Sequence, residues 1–309
     1  VTDRRAGRDG NFQPLTDLLQ GIEIDGIEFI VRQGTGYRAV VVMRGSGLSS
    51  QIYGNDPKDV NVPVNTGKKL ILDYETLDAE ERKRAEFTAN VIEKFTDEVY
   101  KRLNDCSCNA EREATGLLPG NFFLARSAGK YQHIQPFEEK FGLKAANIAG
   151  GGLYRGVAGL MGMEMVDVEG ATGMLDTSLK NKFSTTIKLL ENNDFVFLHV
   201  KGTESLGEDG NPIGKKEFIE KIDREFADFN QLDEETLLVV TADHSTPCEL
   251  YNHSADAVPI MFHGASTRVD DVTEFGERTC AKGSLGVITG TDLMPHVSNL
   301  LGKLPKVGG

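Results

Sequence analysis

Short apolar runs alternate with amphipathic stretches along the whole chain, and the rhythm of that alternation changes near Gly129. Before it, Glu28 to Val31 and Arg38 to Met43 are apolar, β-branched runs flanking Gly34-Thr35-Gly36, a pattern that predicts an antiparallel strand pair. From Asp78 to Leu103, the residues Phe87, Val91, Ile92, Phe95, Val99 and Leu103 recur at three- and four-residue steps, which predicts a helix with one buried face. Asn121 to Ala125 reads as a further short strand, so residues 1–129 are expected to form a small α+β domain.

Residues 130–309 repeat strand, loop and helix in the manner of a doubly wound parallel sheet. Buried strands are expected at Ala145 to Ala149, Glu164 to Val168, Phe195 to Val200, Thr236 to Thr241 and Val258 to Phe262. Helices are expected at Gly152 to Met161, Leu175 to Glu191 and Lys215 to Phe229. The fold class is therefore α/β. In such sheets chemistry gathers at the carboxyl ends of strands, which directs attention to the residues after Val200, Thr241 and Phe262.

The segment Thr241-Ala242-Asp243-His244-Ser245-Thr246-Pro247-Cys248 follows an apolar strand, and His253 comes nine residues after His244. A carboxylate and two imidazoles suit a divalent ion that accepts mixed oxygen and nitrogen ligands. The alternative is a capping aspartate with two surface histidines. After Val200, Glu204 and Glu208 are four residues apart and share a face if their loop enters a helix; otherwise Gly207-Glu208-Asp209-Gly210-Asn211 is a solvated turn.

Composition sharpens this picture. A formal net charge of −13 without a basic tail argues against nucleic acid as the main partner. An acidic protein that handles an anion must neutralise it locally, and Arg4, Arg5, Arg8, Arg38 and Arg44 stand beside flexible, glycine-containing loops. Surface ion pairing is the competing use of each. Gly150-Gly151-Gly152-Leu153-Tyr154-Arg155-Gly156 lacks a full dinucleotide fingerprint but places amides where an anion could sit. Cys106 and Cys108 have half the spacing of a metal site and no matching second pair; with Cys248 and Cys280 they are expected to be reduced thiols. No run is long enough to cross a bilayer and no signal peptide is evident, so a cytoplasmic, membrane-free protein is expected. Val1 in place of an initiator methionine suggests a truncated reading frame.

In order, Thr2-Asp3-Arg4-Arg5-Ala6-Gly7-Arg8, Tyr37-Arg38, Gly142-Leu143-Lys144-Ala145-Ala146, Gly170-Ala171-Thr172-Gly173, His199-Val200-Lys201-Gly202-Thr203, Asp243-His244-Ser245-Thr246-Pro247-Cys248, His253-Ser254 and Asp292-Leu293-Met294-Pro295 resemble archaeal-type cofactor-independent phosphoglycerate mutases of the alkaline phosphatase superfamily. The resemblance implies an alkaline-phosphatase-like doubly wound core, residues 130–309, and a smaller α+β inserted domain, residues 1–129, that covers the substrate. It implies interconversion of 3-phosphoglycerate and 2-phosphoglycerate through a phosphoserine, in glycolysis and gluconeogenesis.

By the same resemblance, two divalent metal ions are held by Glu204, Glu208, Asp243, His244 and His253, with Asp243 and His244 on one and His253 on the other. Arg4, Arg8, Arg38, Arg44, Lys144 and Arg155 become candidates for binding phosphate and carboxylate. The nucleophilic serine is expected upstream of Val1, and Ser46, Ser49 and Ser50 are not expected to replace it. Glu204 and Glu208 stand where the family has Asp and His. This exchange favours Mn²⁺ or Mg²⁺ over Zn²⁺. A metal-dependent phosphomonoester hydrolase of the same superfamily and a non-catalytic homologue are the alternative readings. Oligomeric state is not legible.

Overall fold

A computed structural model describes residues 1–4, 6, 10–34, 36–264 and 267–304, and the chain divides into two compact units, Val1–His133 and Ile134–Gly309. In the first unit, α1 (Gln13–Asp17) precedes a three-stranded antiparallel sheet of β1 (Ile22–Ile24), β2 (Ile27–Gln33) and β3 (Ala39–Arg44). Alternation along β2 buries Ile27, Phe29 and Val31, as a sheet with one covered face requires. The expected strand pair is present in the register Phe29 with Met43, although Thr35 of its turn lies outside the described residues.

The long helix α2 (Ala79–Asn104) covers that sheet. Its start is fixed by Asp78, whose side chain accepts the Glu81 amide hydrogen, and its ends carry the charges that suit the helix dipole: Glu80 and Glu81 first, Lys101 and Arg102 last. The predicted apolar stripe is the buried face, and Phe95 stacks on Phe29 with ring centroids 4.1 Å apart. A short helix α3 (Ser107–Ala114) follows. Asn121 to Ala125 does not form the expected strand. The Asn55 side chain takes up its peptide groups, accepting from Ala125 N and donating to Phe123 O, so no neighbouring strand is needed, and only the next residue, Arg126, makes an isolated bridge to Gly54.

Arg4 donates from Nε and Nη2 to the two carboxylate oxygens of Asp56, at 3.1 and 2.5 Å. Burial works to raise the Asp56 pKa, but the hydrogen bonds from Arg4 and from the Lys58 amide outweigh it and hold the carboxyl below its ordinary range.

The second unit begins with α4 (Phe137–Phe141) and β4 (Ala145–Ile148), which is buried at every position. Helix α5 (Gly152–Leu160), β5 (Glu164–Met165), α6 (Leu179–Leu189) and β6 (Phe195–Leu198) complete a parallel sheet in the order β5-β4-β6. Helices α7 (Gly202–Glu208) and α8 (Pro212–Phe226) follow, and Asn211 caps α8 three residues earlier than the apolar pattern suggests. Strands β7 (Leu238–Val240) and β8 (Met261–His263) pair with each other antiparallel, not as further members of the parallel sheet. The chain between them holds no helix that could carry a parallel crossover; it turns back on itself. Two short helices, α9 (Glu277–Cys280) and α10 (Leu293–Leu300), end the described chain. No helix among the described residues is long and apolar enough to cross a membrane.

Replacing Phe95 by Ala removes the centre of the first unit's core and is expected to cost about 3–5 kcal/mol, read from denaturant unfolding. Asp56→Asn is expected to destabilise the first unit at pH 7. Because the folded carboxyl titrates below its unfolded value of about 3.9, the native contribution is complete above that pH and is lost as the pH falls through the folded value. The wild-type advantage in thermal melts should therefore narrow between pH 5 and 2; a constant gap would show that Asp56 acts by shape alone.

Candidate metal centre

Three side chains converge in the second unit: donor atoms of Glu204, His244 and His253 lie within 4.8 Å of one another. Their meeting follows from the return of the chain between β7 and β8. An isolated antiparallel bridge joins Ser245 to Ser254, with the Ser254 amide donating to the Ser245 carbonyl at 3.1 Å. His244 and His253 flank that bridge on its two arms, and their rings stack at 3.8 Å. Farther down, the Thr241 hydroxyl donates to the Pro259 carbonyl and keeps the arms together.

Glu204 arrives from the first turn of α7, at the carboxyl end of β6. Its Oε1 is 3.5 Å from His253 Nε2, and its other oxygen is paired with the Lys201 ammonium. Helix α7 can approach this closely because residue 207 has no side chain: a Cβ on Gly207 would stand 2.4 Å from the Thr246 carbonyl oxygen. Thr246 is buried, and its hydroxyl shares a 3.2 Å hydrogen bond with His244 Nδ1, leaving Nε2 as the free ligand atom.

Asp243 lies beside this trio. Its Oδ2 is 3.6 Å from His244 Nε2 and accepts the Tyr154 hydroxyl hydrogen at 2.9 Å. Burial opposes ionisation of Asp243, but the Tyr154 hydrogen bond and the neighbouring imidazoles prevail and lower its pKa; the same contact and burial raise that of Tyr154. Tyr154 also stacks on His199 with centroids 3.5 Å apart. Burial pushes His199 down to about 4, so the ring in this stack is neutral near pH 7.

Below His199 lies Lys182, which is fully buried and donates to the carbonyls of His199 at 3.0 Å and Thr172 at 3.3 Å. Burial lowers its pKa. Gly150 allows the Thr172 segment to come in, since a Cβ there would fall 2.1 Å from the Thr172 carbonyl carbon.

The donors fit a divalent ion: one carboxylate and two imidazoles face one another, one imidazole is oriented through its second nitrogen, and an ionised aspartate stands alongside. The structure differs from the sequence reading at Glu208. Glu208 does lie on α7 with Glu204, yet it is exposed and outside the cluster, because the four-residue step carries it along the helix toward solvent. The two histidines sit together because the bridge pairs their segments, a spacing that fits ligands of one ion or of two neighbouring ions ~3.5–4 Å apart.

The anion-binding candidates are divided between the two units. Arg4 is committed to Asp56, and Arg8 lies outside the described residues. Arg38 is exposed with its guanidinium 5.1 Å from the Tyr37 ring centroid, and Arg44 is exposed at the end of β3. Lys144 Nζ donates to the Asn192 carbonyl, and Arg155 bonds the Val166 carbonyl and Asp167. Ser49 is occupied as well, bonding the Glu81 carboxylate and accepting the Gln51 amide hydrogen. Tyr154, His199, Lys201, Thr246 and Lys182 were given no site role from sequence. For His199 and Lys201 the strand-end position was the available signal.

Several comparisons bear on this site. The profile of the family described as Metalloenzyme superfamily matches residues 27–300. The chain is 42% identical over 312 residues to the 2,3-bisphosphoglycerate-independent phosphoglycerate mutase 1 of Methanocaldococcus jannaschii, covering 100% of this chain and 74% of that protein. It is 38% identical, with the same coverage, to the 2,3-bisphosphoglycerate-independent phosphoglycerate mutase of Methanosphaera stadtmanae. Among solved structures, it is similar to a protein of Pyrococcus horikoshii with a TM-score of 0.80 at 28% identity, covering 100% of this chain and 73% of that one. A cofactor-independent phosphoglycerate mutase from Thermoplasma acidophilum aligns with a TM-score of 0.64 at 29% identity, covering 97% and 73%.

The Gly207→Ala methyl group is expected to push α7 away from the Thr246 segment and weaken Mn²⁺ binding by about 10-fold or more, the scale of losses on disturbing residues that orient ligands. Calorimetric titration checks this. Unchanged affinity, with the fold intact, would mean that Glu204 does not depend on the helix position for its role.

Proposed function

The chain belongs to the metalloenzyme superfamily, and from that premise we propose how its residues serve a phosphoglycerate mutase that needs no 2,3-bisphosphoglycerate. Its activity is the isomerase activity of that enzyme, dependent on divalent metal. Its fold is α/β, an alkaline-phosphatase-like doubly wound core with a smaller α+β domain. The substrates are 3-phosphoglycerate and 2-phosphoglycerate.

The observation that carries the proposed mechanism is the convergence of Glu204, His244 and His253. When bound there, a divalent ion supplies Lewis-acid stabilisation of charge on phosphoryl oxygens. Asp243 is proposed as a ligand of a second ion, held in place by the Tyr154 hydroxyl. Thr246 keeps the His244 ring turned with Nε2 toward the cluster, and Lys201 balances the charge of Glu204. The Tyr154 and His199 stack forms an uncharged wall beside Asp243, whose side chain stays about half exposed to solvent.

Arg38 and Arg44 are proposed as the arginines that meet the substrate's phosphate and carboxylate, since both are exposed and carry forked donors suited to those groups. Lys144 and Arg155 are proposed to act only indirectly, through the loops they tie down. A phosphoserine intermediate is proposed, and Ser49 is not its carrier. Mn²⁺ is proposed over Zn²⁺ because two carboxylates beside two imidazoles leave positions for substrate oxygens, which an ion of higher coordination number accepts more readily.

The native protein, given 3-phosphoglycerate and Mn²⁺ and followed by phosphorus NMR, is expected to build up 2-phosphoglycerate with little free phosphate. Activity should fall in the order Mn²⁺, then Mg²⁺, then Zn²⁺, and His253→Ala should lower it at least about 100-fold, or roughly 2.7 kcal/mol. Free phosphate without isomerisation would support the hydrolase reading instead, and highest activity with Zn²⁺ would overturn the metal assignment.

A further inference from the structure

Cys106 and Cys108 belong to the first unit and play no part in the metal centre. Cys106 is the N-cap of α3, where its Sγ accepts the Asn109 amide hydrogen at 3.3 Å; Cys108 lies in the first turn. The two sulfurs are in direct contact, 2.6 Å apart. Both side chains are half-buried against the core that contains Phe12, Leu15 and Leu103. Their backbone is held by Asn109, which is buried, donates to the Leu103 and Gly120 carbonyls and accepts the Gly120 amide hydrogen. Neither cysteine belongs to a group of three or more converging metal-ligating side chains among the described residues.

We propose that Cys106 and Cys108 form a dithiol site for small-molecule disulfides, closing reversibly to an intrachain Cys106–Cys108 bond. The Cys106 thiolate attacks one sulfur of a disulfide RSSR, breaking its S–S bond and releasing one RS⁻. Cys108 then loses its proton and attacks the Cys106 sulfur of the mixed disulfide, releasing the second RS⁻. The two protons given up by the cysteines convert the released thiolates to two RSH, and the two electrons lost by the protein reduce RSSR. Burial, and after it the neighbouring Cys106, pushes the Cys108 thiol up to about 11. The Asn109 amide directed at the Cys106 sulfur assigns the first attack to Cys106, which leaves Cys108 as the resolving residue. The fixed loop brings the resolving sulfur within reach without rearrangement, so the mixed disulfide is short-lived.

The test is to incubate the chain with mixtures of oxidised and reduced glutathione, quench with an alkylating reagent, and measure intact mass and cysteine peptides. Two of the four thiols should disappear together, in a peptide cross-linked between Cys106 and Cys108, and a dithiol reductant should restore them. Cys108→Ser should instead accumulate a stable glutathione adduct on Cys106. The proposal is overturned if the wild-type chain keeps all four thiols under oxidising mixtures, or loses them only as glutathione adducts without the cross-linked peptide. The wild-type peptide map decides the matter even if the variant does not fold.

Discussion

One backbone pairing, between Ser245 and Ser254, sets the distance between the two imidazoles of the candidate metal centre. Without it, His244 and His253 would be two polar residues in a long connection. With it, their rings stack, and the remaining donor needs only to reach them from α7. That approach rests in turn on an absent side chain at residue 207, which lets helix backbone meet hairpin backbone. The chemistry is therefore assembled by main-chain contacts first, and the ligands inherit their positions from them.

The parts legible in the sequence were those whose pattern carries a single structural meaning. The stripe from Phe87 to Leu103 could be only one face of a helix, and the structure begins that helix directly after Asp78. The pairing of β2 with β3 was legible from two apolar runs around a glycine turn. The apolar runs that become β7 and β8 announced strands but not their direction, because periodicity within a strand says nothing about its neighbour. Asn121 to Ala125 looked like a strand because the composition is right, while Asn55, some seventy residues earlier, supplies the partner groups.

At the site, Asp243, His244 and His253 stood out because the sequence keeps them close together after an apolar run. Glu204 was legible from its place after β6, and the spacing that recommended Glu208 was true of the helix but said nothing of which way the helix turned. Tyr154 and His199 escaped notice because their meaning lies in a ring stack between the first turn of α5 and the residue that follows β6. Lys182 was hidden more deeply still. A lysine in a helix usually marks the wet face, yet this one is enclosed and bonded to carbonyls that no short-range pattern could foretell.

Of the four proposed ligands, Asp243, His244 and His253 come from one short stretch of chain and Glu204 comes from α7. Closing so short a loop costs little entropy, so the hairpin segment can chelate an ion before the rest of the unit has folded. A metal with appreciable affinity for that partly folded hairpin stabilises both ends of the folding equilibrium. The added thermal stability would then fall short of what the native-state dissociation constant implies, and Glu204 alone would register whether folding is complete.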